Sequence, residues 1–120
     1  MNLPEKRQGL WGNGWIPNCD FLVSKSGIRV LVELAGIRSA DLDIEVQMDC
    51  LQITGMRPRP PREDADEKVI GEINYGPFQA VLKFPDEYDL ARAKAAYLNG
   101  FLRIDVPAKI PAEGPRRIAF

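Results

Sequence analysis

KAAYLNGFLRIDVPA, residues 94–108, decides how the rest of the chain is read. An Asn-Gly pair, Asn99 and Gly100, separates a short apolar run from a strictly alternating one, which is the strongest short-range signal for a two-residue β-hairpin. After it Leu102, Ile104 and Val106 fall on one face and Arg103 and Asp105 on the other, the pattern of a half-buried strand that Pro107 ends. Upstream, DLARAKAAYL (89–98) pulls the other way. Asp89 is an N-cap candidate, the helix formers are strong, and Leu90, Ala93, Tyr97 and Leu98 stand at helical spacing. The hairpin needs a strand arriving from that side, so the spacing is read as one helical turn near 89–92 and a strand over 94–98 imposed by pairing.

Working outward, the texture is that of short strands. Phe21 and Val23 alternate with Asp20 and Ser24, and Lys25-Ser26-Gly27 makes a turn. Ile28, Val30, Val32 and Leu34 then alternate with Arg29, Leu31 and Glu33. AGIRSA (35–40) breaks the pattern. A second pair follows, Leu42, Ile44 and Val46 against Asp41, Asp43 and Glu45, then Leu51 and Ile53 against Gln52 and Thr54. Its connection, Met48-Asp49, lacks the glycine that so tight a turn usually needs. Gly55 is read as closing this segment, and RPRPPREDADEK (57–68), with three prolines and nearly every other residue charged, is read as a long solvated loop and a candidate dimer contact. Phe78, Ala80, Leu82 and Phe84 resume the alternation after Gly76-Pro77, with Gln79, Val81 and Lys83 on the other face. Residues 1–14 show no sustained period and are read as an arm without fixed structure.

Composition bounds the function. The chain has 120 residues, 45% of them apolar, enough for one core. Its 16 basic and 17 acidic residues leave a formal charge of −1, which points to neither a nucleic-acid nor a membrane partner. No run is long enough to span a bilayer and MNLPEKRQ is too polar for a secretory signal, so a cytoplasmic location is expected. With no histidine and only Cys19 and Cys50, 31 positions apart, a disulfide framework, a zinc site or a Cys/His pair is not expected. Phosphate-binding glycine loops and a nucleophile elbow are missing too, and Asp41, Asp43 and Glu45 read as the solvated face of a strand, so no enzyme, cofactor or metal is expected. Short strands with turn signals and no long helix predict an all-β, immunoglobulin-like antiparallel β-sandwich.

AAYLNGFLRIDVP resembles the A-x-x-x-N-G-x-L signature of the α-crystallin domain, matched by Ala95, Asn99, Gly100 and Leu102. WIPNCDFLVSKSGIRVLVELAGI and ADLDIEVQMDCLQITGMR are similar to that family's first two strand pairs, and YGPFQAVLKFP is similar to its G-x-F-x-R-x-F-x-L-P segment, with Ala80 at the arginine position. The likeness is to the small heat-shock proteins. It implies a short N-terminal arm over 1–16, an α-crystallin-type sandwich over 17–108, and a C-terminal extension over 109–120. Ile118 and Phe120 would form the family's paired apolar tail motif, and docking would be reversible because the gain from burying two side chains is comparable with the cost of ordering the tail.

The function so implied is ATP-independent holding of unfolding proteins. The expected partners are non-native clients and other copies of the chain, in a dimer or modest homo-oligomer with possible strand exchange through the 57–74 loop. A tail-docking groove is expected from Leu42, Ile44, Val46, Ala96 and Leu98, and a client-binding arm from Leu10, Trp11 and Trp15. The rivals are a CS-domain-like co-chaperone adaptor, which shares the sandwich but lacks the apolar tail, and a non-catalytic β-sandwich interaction module.

Overall fold

The computed structural model describes residues 2–7, 14–64, 66–67, 70–110 and 118–120. In chain order the described strands are β1 (Glu5–Arg7), β2 (Cys19–Ser24), β3 (Gly27–Glu33), β4 (Leu42–Gln47), β5 (Cys50–Arg57), β6 (Gly76–Lys83), β7 (Lys94–Leu98) and β8 (Phe101–Pro107). They form two antiparallel sheets, β1-β6-β5-β4 and β2-β3-β8-β7. This is the all-β sandwich the alternation predicts.

The 89–98 conflict is resolved by pairing. A single 3-10 turn spans Leu90–Arg92, capped by the Asp89 side chain, which accepts from the Ala91 N–H. β7 then pairs with β8 across Asn99-Gly100, where φ is 53° and 81°. Both values lie in the left-handed region that a type I′ two-residue hairpin requires and that Asn and Gly tolerate best.

The core follows the period-2 pattern. Ile28, Val30, Val32, Leu34, Leu51, Ile53, Phe78, Ala80, Leu82, Phe84, Leu102, Ile104 and Val106 are all buried between the sheets. Parity is set by register: Val30 pairs with Ile104, Val32 with Leu102, and Ile53 with Ala80, so each inner-face residue meets another.

Three sequence readings change. Glu5–Arg7 are not an unstructured arm, since β1 pairs with Lys83, Leu82 and Val81 of β6. That sheet edge recruits a stretch with no strand pattern of its own. Gly55 does not close the segment, because β5 continues to Arg57. Gly55 is there for space: a Cβ would meet the Asp41 carbonyl oxygen and the Phe78 ring, each at 2.4 Å. Gln79, on the outer face by parity, is nonetheless only 2% exposed. Its N–H donates to the Trp15 carbonyl, which lies alongside β6. The β4–β5 turn forms as predicted, with Met48 itself taking a positive φ of 57°.

Candidate docking groove and edge surfaces

Each sheet ends in two edge strands, β1 and β4 in one and β2 and β7 in the other. Lys6 of β1 donates to the carbonyl of Pro17, just before β2, so the β1 and β2 edges lie together. In aligned sheets of four strands the β4 and β7 edges then share the opposite side. There, Leu42, Ile44 and Tyr97 pack against the core without being fully buried. Val46 is 49% exposed, although it pairs with the buried Leu51 and so faces the interior. Partly exposed apolar residues thus lie along two edge strands whose outer backbone groups have no ladder partner among the described residues.

Register corrects the β7 half of the predicted groove. Tyr97 pairs with Leu102 and Ala95 with Ile104, so Ala95 and Tyr97 face inward. Ala96 and Leu98 pair with Arg103 and Phe101 and lie on the outer face. Leu98, 70% exposed, therefore stands beside Phe101 on that outer surface rather than among the inner-face residues. The signal was available: once Leu102 and Ile104 are inner-face residues, a two-residue loop at 99–100 makes their partners 97 and 95. Tyr97 is anchored by its hydroxyl, which donates to the Leu34 carbonyl at 2.5 Å. Leu42, Ile44 and Val46 are on the inner face as anticipated.

Trp15 is part of the body. Its indole N–H donates to the Gly76 carbonyl at 3.2 Å, its ring centroid lies 5.1 Å from that of Phe78, and the Arg57 guanidinium carbon sits 4.3 Å from its ring centre. Leu10 and Trp11 lie outside the described residues. Arg59 stacks similarly over Tyr75 at 5.3 Å, so two cation–π contacts gather the neck of the 57–74 loop. Between neck and body is a cleft of about 860 Å³, lined by Trp15, Glu33, Arg57, Glu72, Ile73 and Tyr75 among others. Ile70 and Ile73 are exposed, as are Ile118 and Phe120 of the tail.

The chemistry on offer is that of contact surfaces. Burial raises the Cys19 thiol pKa; burial and a hydrogen bond to Asp49 raise that of Cys50, so neither is primed as a thiolate. Among the described residues no group of three His, Cys, Asp or Glu side chains could hold a metal ion, and no helix is long and apolar enough to cross a membrane. On the outer face of the β2–β3–β8–β7 sheet, Asp105 bridges Arg29 and Arg103 at 2.8 and 2.9 Å. The hydrogen bond from Arg29, ahead of that from Arg103, lowers its pKa.

A family model for the Hsp20/alpha crystallin family matches residues 20–120. The chain belongs to that family. It is 32% identical over 94 residues to small heat shock protein C2 of Rickettsia felis, covering 78% of this chain and 61% of that protein. It is 37% identical over 92 residues to the small heat shock protein IbpB of Pectobacterium carotovorum, covering 76% and 59%. The chain thus spans about three-fifths of the length of these relatives. Among solved structures, a small heat-shock protein from Xylella fastidiosa, described as having a distinct high order structure, superposes with a TM-score of 0.74 at 27% identity, over 88% of this chain and 96% of that one.

Within the Hsp20 domain the signature hairpin has a structural reason. The Gly100 carbonyl accepts from the Leu34 N–H at 2.7 Å, and a Cβ on Gly100 would come within 3.2 Å of Ala35 Cα. The signature glycine lets the hairpin turn lie against the end of β3. Ala80 is fully buried opposite Ile53, so apolar packing fills this position.

Proposed function

We propose that this protein is an ATP-independent holdase that binds unfolding polypeptides and limits their aggregation in the cytoplasm. The observation that carries the reading is the open side of the sandwich in a member of the Hsp20 family, where two unpaired edges flank half-exposed apolar residues. Such a site offers a non-native chain both backbone partners and apolar contact, which lowers the concentration of free aggregating species.

Assembly uses the same features. The Ile118 and Phe120 pair of a neighbouring copy docks between β4 and β7, against Leu42, Ile44 and Val46 on one side and Ala95 and Tyr97 on the other. The 57–74 loop, projecting from its arginine–aromatic neck, exchanges between protomers to make the dimer. Residues 17–108 together with β1 act as the sandwich unit, with 109–120 as the docking extension. Client contact by the arm rests on Leu10 and Trp11, because Trp15 is engaged by Phe78 and Arg57.

Native mass spectrometry paired with client light scattering tests this on the full chain and on Phe120→Ala. The expected result is an oligomer that suppresses scattering and that shifts towards dimers in the variant. A monomer that leaves scattering unchanged refutes the holdase reading, while an unchanged mass in the variant refutes tail docking and favours an adaptor role.

A further inference from the structure

The β4–β5 turn places an apolar side chain where the backbone disfavours one. Gln47 pairs with Cys50, leaving Met48-Asp49 as a two-residue loop. Among the described non-glycine residues only Met48 and Asn99 have positive φ. A positive φ at the first loop residue and not the second is the type II′ pattern, whose first position belongs to glycine. A bulky side chain there is held in a disfavoured conformation. Nothing in the fold compensates, for Met48 is 92% exposed.

Its surroundings indicate what the side chain is for. Two residues back, Val46 is the half-exposed end of the inward-facing β4 row, so the partly exposed apolar row of this edge strand runs out to the turn. Around the tip, Gln47 and Asp49 are polar, and Asp49 lies 3.9 Å from Lys83. The arrangement is a single flexible apolar prong on a polar rim. Methionine is unbranched and polarisable and adapts to surfaces of no fixed shape. A folded partner would be met by a shaped patch; a lone thioether suits segments that differ at every encounter.

We propose that Met48, with Val46 behind it, is a contact point for the exposed apolar side chains of non-native polypeptides. The assignment rests on the holdase reading and gives it a specific residue. It also explains why the turn lacks its favoured glycine: side-chain contact is kept at the expense of local stability.

Three full-length variants and one footprint test it. Met48→Gly and Met48→Asn both suit a positive φ and remove the apolar prong, whereas Met48→Leu keeps an apolar group. Met48→Gly should raise Tm by about 3–5 °C. Met48→Gly and Met48→Asn should each need about fivefold more protein for half-suppression of client scattering, as for loss of a principal contact. Met48→Leu should stay close to the parent. In the unmodified chain, dilute peroxide transfers one oxygen to the thioether, giving sulfoxide and water. Bound client should slow this at Met48 and not at Met56, which lies on the opposite face of its sheet and is 44% exposed.

Equal suppression by the parent, Met48→Gly and Met48→Asn overturns the assignment and leaves the holdase reading standing. Protection of Met48 before any client is added makes it a contact between copies and also overturns it. A parent chain that suppresses nothing overturns both.

Discussion

Two of the hairpins with two-residue loops, β4–β5 and β7–β8, make the same kind of connection from opposite local chemistry. In β7–β8 the loop residues favour the turn, and it is the strand before it, with its helical spacing, that must be overruled by pairing. In β4–β5 the strands alternate cleanly and the turn itself is disfavoured, with Met48 at φ 57°. Local preference was overridden in both, at the strand in one and at the turn in the other. What overrides it is the inner face, because a one-residue slip in either hairpin would turn a row of buried side chains out to water.

The largest expected effect breaks the β4–β5 side. Gly55→Ala forces a Cβ against the Asp41 backbone oxygen and the Phe78 ring, so equilibrium urea unfolding should show a loss of about 3 kcal/mol. Next comes Gly100→Ala in the favoured turn. It combines a left-handed φ of 81° with a 3.2 Å approach to Ala35 Cα, and the same measurement should show a loss of about 2 kcal/mol. Met48→Gly should move the opposite way, a gain of about 1 kcal/mol, and the contrast in sign between the two turns is the sharpest form of the comparison. Smallest is the ion triad on β3 and β8. Because the folded pKa of Asp105 is lowered, the triad contributes stability above the ordinary carboxylate value of about 4, and that contribution is lost as pH falls through the lowered value. The side chains are 41–50% exposed, so the change in urea midpoint should correspond to less than about 1 kcal/mol and disappear in Asp105→Asn.

Much of this was legible in the sequence. Alternation located β2 to β6 and β8, and the Asn-Gly pair located β7 in spite of its helical look. What was illegible depends on partners distant in sequence. Glu5–Arg7 carry no apolar alternation and become a strand only because β6 offers an unpaired edge. Gly55 reads as a terminator, yet its role is to make room for Phe78, 23 positions on. The β7 half of the groove was readable but misassigned. Leu98 drew attention by size, whereas parity across the turn points to Ala95 and Tyr97. Trp15 carries no local signal of its place between Phe78 and Arg57.

One pairing also bears on how the chain is made. Ile28 lies beside Val106 and Val32 beside Leu102, so the ladder that joins β3 to β8 closes over some 70 to 80 residues. Contacts of such high sequence separation form late. During synthesis at roughly 5–20 residues per second, the β2–β3 hairpin waits several seconds with one apolar face and one ladder edge uncovered. A protein proposed to hold chains with uncovered apolar surface is, on its own ribosome, one of them.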